Sequence, residues 1–322
     1  AKKGAEVVSF DNFTKHELKR TGYNVDAARD YIVNFEKNLG VTIIKGDVRN
    51  KEELNAAANG CDFIVHTAAQ PAMTIAMEDP DLDITTNVNG TFNVLEAGRK
   101  QDCPVVFCSS IHVYGPAIND SLKEEETRFS REPAEISETE PLLQGTVTPL
   151  HASKRTGEIY VRAFNETYGM KAAAYRFTGL YGPRQFGGED HGWVANFAIK
   201  TIMKKPITVF GTDKQVRDIL YATDAAASFD AFYNNQKPGI YNIGGGLKTL
   251  ISLGESIKMM AEISGINQEI SNSSKRSGDL HYFASDISKA KKELGWEPKV
   301  VPKEGITNLL NWIKENKSIF SI

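Results

Sequence analysis

Acidic residues follow two short apolar runs near the start of the sequence, where they could bind a nucleotide. Asp11 comes after the run at 6–10, and Asp47 comes shortly after the run at 41–44. A carboxylate at the end of a strand can accept hydrogen bonds from both hydroxyls of an adenosine ribose, and it would repel a 2′-phosphate. Asp11 therefore favours NAD over NADP, while a simple turn at Asp11-Asn12 explains the pair equally well.

Two later apolar runs also lead directly into polar residues. One is followed by His66-Thr67-Ala68-Ala69-Gln70 and the other by Cys108-Ser109-Ser110. Segments with helical periodicity, at 51–58 and 83–100, lie between the runs. Continuous apolar strands that alternate with helices predict an α/β fold with a doubly wound parallel sheet buried on both faces. Ligands of such sheets bind outside the carboxyl ends of the strands, which is where these polar residues lie.

Beyond about Gly182 the elements become shorter, which predicts a smaller C-terminal α/β lobe at 183–322 after a nucleotide-binding domain at 1–182. Later segments are free to return to the first domain. The stretch 268–278, rich in Ser and Asn, is expected to be a surface loop, and the acidic segment 123–140 an exposed insertion. Helices are expected at 194–203, from 223, at 251–264 and at 303–314, and strands at 208–210 and 240–243.

The glycine fingerprint of a dinucleotide site has no place in this sequence. Gly-x-Gly-x-x-Gly is expected about 20 residues before the ribose-binding acid, and Asp11 leaves no room for it. Gly244-Gly245-Gly246 follows a late strand and lacks the spacing. Because Lys2-Lys3-Gly4 has the composition of a helix end, we expect that a first strand, Gly-rich loop and helix are missing. The alternative is that the chain does not bind a dinucleotide.

Composition excludes several classes of protein. The 322 residues are 41% hydrophobic and 25% charged with a net charge of -3, which is typical of a soluble globular chain without a nucleic-acid-binding surface. The three cysteines have no disulfide or metal-ligand spacing, so we expect a reduced, cytoplasmic setting. No apolar stretch approaches the roughly 18 residues of a membrane span, and no signal peptide opens the chain. No metal site is predicted.

A series of short motifs resembles the extended short-chain dehydrogenase/reductase family, the NAD-dependent nucleotide-sugar epimerases and dehydratases. Each motif alone is weak, but together they fall in family order and cover nearly the whole chain. The resemblance implies a Rossmann-like fold with NAD as the cofactor. The motifs are Asp11-Asn12, Gly46-Asp47-Val48, His66-Thr67-Ala68-Ala69-Gln70, Asn87-Val88-Asn89-Gly90-Thr91, Ser109-Ser110 with Val113-Tyr114-Gly115, Arg176 with Tyr181-Gly182-Pro183-Arg184, Arg217-Asp218, and Arg276-Ser277-Gly278-Asp279.

The resemblance also implies which residues form the site. Arg217 and Arg276 would hold the substrate diphosphate, which suits planar guanidinium groups; surface ion pairs with Asp218 and Asp279 are the alternative. Residues implied for NAD are Asp11 and Asn12 at the ribose, Asp47 and Val48 at the adenine, Thr67, Ala68 and Ala69 in the middle, and Asn87, Ser109, Lys154 and Phe177 toward the nicotinamide. Residues implied for the sugar are Gln70, Met73, Ser110, Gln185, Trp193 and Asn196, although Trp193 could equally be core.

The catalytic position departs from the family pattern. The family uses a Tyr as acid/base, a Lys four residues later that lowers the pKa of the Tyr, and a Ser or Thr that binds the substrate oxygen. Ser110 and Lys154 match the last two roles, but Leu150 stands at the Tyr position and cannot transfer a proton. Three explanations remain open: an altered or degenerate enzyme, an engineered or erroneous residue, or a substitute group elsewhere.

None of the nearby residues is an obvious substitute. His151 lies about 100° around the helix from position 150, which makes it a poor replacement. Tyr114 occupies a position that is usually structural in the family. We expect His66 and His112 to be packed or turn residues, and His281 has no partner that indicates a metal.

The finer resemblance is to the CDP-tyvelose epimerase (CDP-paratose 2-epimerase) subfamily. The residues that carry it are Gln70-Pro71-Ala72-Met73-Thr74, Arg184-Gln185-Phe186, His191-Gly192-Trp193-Val194 and Lys214-Gln215-Val216-Arg217-Asp218. It implies epimerisation of a CDP-linked hexose at C2 through a keto intermediate, by a homodimer or homotetramer that pairs through helices at 83–100 and 151–167. A UDP-hexose 4-epimerase, a catalytically inactive nucleotide-sugar-binding protein and a structural oligomer are the alternatives.

Overall fold

A computed structural model describes residues 1–14 and 21–320. Strands and helices alternate over its first half. The strands are β1 (Val8–Asp11), β2 (Thr42–Lys45), β3 (Ile64–His66), β4 (Val105–Ser110), β5 (Lys123–Glu124), β6 (Phe129–Ser130), β7 (Ala172–Phe177), β8 (Leu180–Tyr181), β9 (Ile207–Phe210), β10 (Val216–Asp218), β11 (Leu220–Tyr221), β12 (Gly239–Ile243), β13 (Leu250–Ser252), β14 (Ile270–Ser273) and β15 (Tyr282–Phe283). The helices are α1 (Val25–Asn38), α2 (Lys51–Ala58), α3 (Met73–Glu78), α4 (Pro80–Asp83), α5 (Gly90–Gln101), α6 (Pro149–Tyr168), α7 (Trp193–Ile202), α8 (Ala222–Asn235), α9 (Leu253–Ser264), α10 (Ser288–Leu294) and α11 (Pro302–Glu315).

The central sheet contains four parallel strands in the order β12-β7-β4-β3. Every residue of β7 is buried, as is every residue but Cys108 and Ser110 in β4. Helix α6 lies close to this sheet because Gly157 has no side chain; a Cβ there would lie 2.6 Å from the Phe107 ring. The predicted doubly wound α/β fold with a buried parallel sheet is confirmed.

Strands β1 and β2 form a separate parallel pair, with Asp11 opposite Lys45. Within the described residues, neither strand is hydrogen-bonded to β3. Val8 and Val65 are 40% and 36% exposed, which is high for apolar strand residues. The first residues make a single turn closed by the Gly4 N–H and the Ala1 carbonyl at 2.8 Å. The expectation that a first strand, loop and helix are missing stays a prediction.

The second half packs around α7, α9 and α11, whose apolar faces share one core with β9. The chain does not stay in this lobe, because β12 returns to the central sheet beside β7. Two expectations were wrong in detail. The helix expected from 251 begins at Leu253, after residues that pair with β10 as β13, and the expected loop 268–278 contains β14, which pairs with β9.

The acidic segment 123–140 is exposed at residues 123–127, as its charge predicts, but it is anchored further along. Its hairpin, β5 and β6, is held by Arg128, whose guanidinium pairs with Glu255 of α9 at 2.5 Å. Ile136 is fully buried and bridges Ser285. The segment is therefore exposed in its charged first part and anchored at Arg128 and Ile136.

Candidate active site

The end of β4 is fixed to α6 by polar side chains. The Lys154 ammonium donates to the Cys108 carbonyl at 2.9 Å, and burial lowers the pKa of Lys154. One turn later Glu158 accepts a hydrogen bond from the Ser109 hydroxyl at 2.8 Å. Ser110 is the last residue of β4, so these contacts hold Lys154 beside the strand that carries Ser110.

Leu150 occupies the apolar side of this centre. Its side chain is 3% exposed and forms a small buried cluster with Met73 and Ala76 of α3. Met73, which the resemblance assigns to the sugar pocket, therefore contacts the side chain at the Tyr position. The aliphatic side chain supplies no proton donor or acceptor there.

A buried amide network lies beside Lys154. The predicted helix at 83–100 is interrupted by a π-helical turn, Ile84–Asn89, which carries Asn87 inward. Asn87 Nδ2 donates to the Gln70 carbonyl at 3.0 Å and to Asp83 Oδ1 at 2.9 Å. The Gln70 side chain is itself bonded to Asp83 and to the Ala72 N–H. The polar groups of Gln70 are thus hydrogen-bonded within the protein. No pattern in the sequence indicates this network.

The ends of β1 and β2 meet at a polar edge. Asn12 Nδ2 donates to Asp47 Oδ2 at 3.0 Å, and the Arg49 guanidinium pairs with the same carboxylate at 2.7 Å. Arg49 and Asn12 hold the pKa of Asp47 well below its usual range. Asp11 is exposed and accepts a hydrogen bond from the Phe13 N–H through Oδ1 at 2.7 Å. An exposed carboxylate beside an amide fits the hydroxyls of an adenosine ribose.

The two arginines predicted for a diphosphate each form an ion pair within the protein. Arg217 is 11% exposed in its side chain and pairs with Asp279 at 3.1 Å, not with Asp218, while burial lowers the pKa of Arg217. Arg276 lies 3.9 Å from the centre of the Phe210 ring, and its guanidinium reaches Asp190 at 3.4 Å. Arg217 thus pairs with one of the two aspartates that the ion-pair alternative named, whereas Arg276 pairs with neither.

The remaining predicted site residues divide between pocket and core. Phe177 is packed edge-on against Tyr175 and Phe229, with ring centres 5.9 and 5.8 Å apart. Trp193 and Asn196 lie on the first turn of α7. Gln185 donates to the Leu180 carbonyl at 3.1 Å, whereas its Oε1 is buried and accepts no hydrogen bond from the described residues.

Two histidines that the sequence did not assign to the site also lie there. The rings of His112 and His151 meet edge to face, with centres 5.6 Å apart. His151 Nδ1 accepts from the Thr148 N–H at 3.0 Å. Among the described residues His112 Nδ1 and His151 Nε2 have no hydrogen-bond partner, although both atoms are buried. His66, in contrast, is packed on Phe107.

The loop that contains Arg276 and Gly278 contacts the start of α6. Gly278 has a φ of +77°, and a Cβ there would lie 3.1 Å from both His151 and Thr148. Asp279, the partner of Arg217, is the next residue. Among residues 1–14 and 21–320, no group of three metal-ligating side chains is present, and no helix is long and apolar enough to cross a membrane.

A parallel sheet with polar strand ends and a buried lysine on the adjacent helix defines a dinucleotide-binding α/β protein. The chain belongs to the NAD dependent epimerase/dehydratase family, whose match covers residues 2–244. The family resemblance and NAD as the cofactor are thereby confirmed, and the chain is an enzyme of this family.

Two relatives align with almost the whole chain. CDP-paratose 2-epimerase from Salmonella typhi is 30% identical over 96% of this chain and 92% of the relative. The putative UDP-glucose 4-epimerase of Methanocaldococcus jannaschii is 32% identical over 93% of each. Among solved structures, the Thermus thermophilus UDP-glucose 4-epimerase in complex with NAD has a TM-score of 0.75 at 27% identity, covering 95% of this chain and 98% of that one.

Proposed function

We propose that this enzyme epimerises a nucleotide-activated hexose, and that the substrate is CDP-paratose, inverted at C2 to CDP-tyvelose. The observation that carries the proposal is the contact of Gly278 with the start of the helix that bears Lys154, since the next residue, Asp279, is the ion-pair partner of Arg217 in β10. A diphosphate held at Arg217 would place its sugar near Ser110. The CDP-paratose 2-epimerase of Salmonella typhi supports the CDP-linked sugar.

NAD, when bound, supplies a nicotinamide ring that takes a hydride from the sugar and returns it. We assign the adenosine ribose to Asp11, whose exposed carboxylate matches its hydroxyls, and to the neighbouring half-buried Asn12. Lys154 would hold the nicotinamide ribose. The other residues assigned to the cofactor are Asp47, Val48, Thr67, Ala68, Ala69, Asn87, Ser109 and Phe177. Of these, Asn87 and Phe177 act by shaping the site, since their side chains are already packed or bonded.

Epimerisation requires the sugar to turn while the diphosphate stays bound. Arg217 and Arg276 would hold the diphosphate, with Arg276 supported on the Phe210 ring. Ser110 would bind the oxygen of the reacting carbon. The space in which the sugar turns would be lined by Met73, Gln185, Trp193 and Asn196. Gln70 would hold Asn87 in place through its backbone N–H.

The proposal is tested with CDP- and UDP-linked hexoses. The protein is incubated with NAD and each sugar nucleotide in deuterated water, and the products are analysed by NMR. We expect inversion at C2 of CDP-paratose without deuterium at C2, because the transferred hydride returns to the same carbon. Inversion at C4 of a UDP-hexose would replace this proposal with the UDP-hexose 4-epimerase, which the Methanocaldococcus relative favours. Binding without turnover would favour an inactive binding protein, for which Leu150 is the evidence.

The domain division and the assembly are also proposed. Residues 1–182 would bind NAD, with β12 added to their sheet, and 183–322 would bind the nucleotide sugar. Apolar side chains are exposed on α6, with Ile159 at 52% and Tyr168 at 56%. Covering them in a homodimer or homotetramer explains this exposure, and light scattering measures the mass directly.

A further inference from the structure

We propose that His112 performs the proton transfer that Leu150 cannot perform. The inference rests on the proposed epimerase function and adds the group that accepts the hydroxyl proton. His112 occupies a short 3₁₀ turn, Ile111–Tyr114, directly after Ser110. Its backbone N–H donates to the Ser110 hydroxyl oxygen at 3.2 Å. His112 is therefore fixed to the same turn as the hydroxyl proposed to bind the substrate oxygen.

The Nδ1 atom of His112 lacks a partner. It is buried, and none of the described residues forms a hydrogen bond with it. A buried polar atom without a partner costs about 1–3 kcal/mol, so few such atoms persist in native proteins without a ligand or water. A sugar hydroxyl would satisfy this nitrogen.

His151 cannot serve as the base, although it touches His112. Its Nδ1 accepts the Thr148 N–H at 3.0 Å, so the proton of the neutral ring is on Nε2. A nitrogen that already carries its proton is a donor and cannot accept another. His151 therefore only packs against His112, edge to face, with ring centres 5.6 Å apart.

The charges around His112 keep its imidazole neutral before substrate binds. Burial lowers the pKa of His112 to about 4; Asp279 opposes this shift, whereas His151, Arg217 and His191 add to it. A diphosphate bound at Arg217 would offset the positive charge and raise the pKa of His112 toward the working pH. Binding of the substrate would thus make the base stronger where it is needed.

The proposed step balances. The O–H proton of the sugar passes to His112 Nδ1, the carbon-bound hydrogen leaves with its electron pair to NAD, and a C=O bond forms. After the sugar turns, the hydride returns to the opposite face of the same carbon. The imidazolium gives its proton to the resulting oxygen, which restores the neutral ring and the alcohol.

The test uses His112→Ala and His112→Gln in the full chain with NAD. We expect kcat to fall ~100- to 10,000-fold, while KM and the affinity for CDP stay nearly unchanged, because the lost interaction acts in the transition state and not in binding. Added imidazole should restore part of the kcat of His112→Ala but not that of His112→Gln, which fills the space. His281→Gln is the matched control, because its ring stacks on Phe129; it should keep wild-type kcat.

A second measurement does not depend on turnover. NMR titration of ¹⁵N-histidine protein should place the His112 pKa below that of a free imidazole and raise it when CDP is added. If wild type is active and His112→Ala has an unchanged kcat, or imidazole has no effect on a slow His112→Ala, the His112 assignment is wrong and the epimerase proposal stands. If wild type converts no sugar nucleotide, the epimerase proposal fails, and the His112 assignment fails with it.

Discussion

Glu158 and Arg176 form a two-point ion pair in the interior, with Oε1–Nε and Oε2–Nη2 distances that are both 2.8 Å. The two side chains are 0% and 2% exposed. Glu158 also accepts a hydrogen bond from the Ser109 hydroxyl, so the pair lies beside the end of β4. The ion pair thus connects α6 and β7, and through Ser109 also β4, one turn along α6 from Lys154.

Replacement of Glu158 by Ala should lower the free energy of unfolding by ~3–5 kcal/mol, because it leaves the Arg176 charge buried and unpaired. Urea denaturation measures this loss. Glu166→Ala is the matched control on the same helix, since the Glu166–Arg162 pair is exposed; it should cost less than ~0.5 kcal/mol. Equal losses in the two variants would contradict a structural role for the buried pair.

Much of this arrangement is predictable from strand ends. The polar residues after β3 and β4 lie at the carboxyl edge of one parallel sheet, and those after β1 and β2 lie at the carboxyl end of a separate parallel pair, because that geometry follows from strand direction. The π-helical turn around Asn87 is not predictable from the sequence. Asn87 is hydrogen-bonded to Gln70, which is distant in sequence, and to Asp83, which comes within reach only because of the turn itself. The sequence pattern there is that of an ordinary helix.

The sequence also does not predict which charged residues form ion pairs with each other. Arg217 is next to Asp218 in the chain, yet alternate residues of a strand point to opposite faces. Arg217 therefore reaches Asp279, while Asp218 turns to Thr178. His112 lies in a turn, as expected, but a turn residue shows no periodicity that would indicate where its ring points.

Replacement of Leu150 by Tyr tests the packing at the catalytic position. The larger ring would have to displace Met73 and Ala76, so we expect a loss of ~1–3 kcal/mol in the free energy of unfolding. The kcat should not rise by the ~100-fold or more that restoring an absent acid/base would give, since His112 already has that role. Leu150→Met, which conserves volume, should cost less than ~1.5 kcal/mol. A large gain in kcat with Tyr would contradict the His112 assignment.

Replacement of Arg217 by Ala should weaken binding of the nucleotide sugar. A hydrogen bond to a charged group contributes ~1.5–3 kcal/mol, which corresponds to a roughly 10- to 100-fold higher Kd. Arg217→Lys should lie between, because an ammonium keeps the charge without the planar fork. Calorimetry with CDP measures both, and Arg29→Ala on the exposed face of α1 is the control. An unchanged Kd would remove Arg217 from the diphosphate site.

The buried carboxyl of Asp218 should make stability depend on pH. It accepts hydrogen bonds from Thr178 and from the N–H groups of Gly246 and Ser285, yet burial outweighs them and raises its pKa from 3.8 to about 6. Because the native state binds this proton more tightly than the unfolded state, the contribution of Asp218 to stability is complete below about pH 4 and is lost as pH rises through 6.

Asp218→Asn isolates this effect, since the amide does not titrate. The free energy of unfolding of wild type minus that of Asp218→Asn should fall by about 2 kcal/mol between pH 4 and pH 8, most of the ~3 kcal/mol that a pKa raised from 3.8 to about 6 implies over the whole titration. The histidines with lowered pKa values, such as His112, change stability in the opposite direction. They are present in both proteins and largely cancel in the difference. A difference that is flat or rises with pH would mean that the native carboxyl is ionised, and that its three donors outweigh its burial.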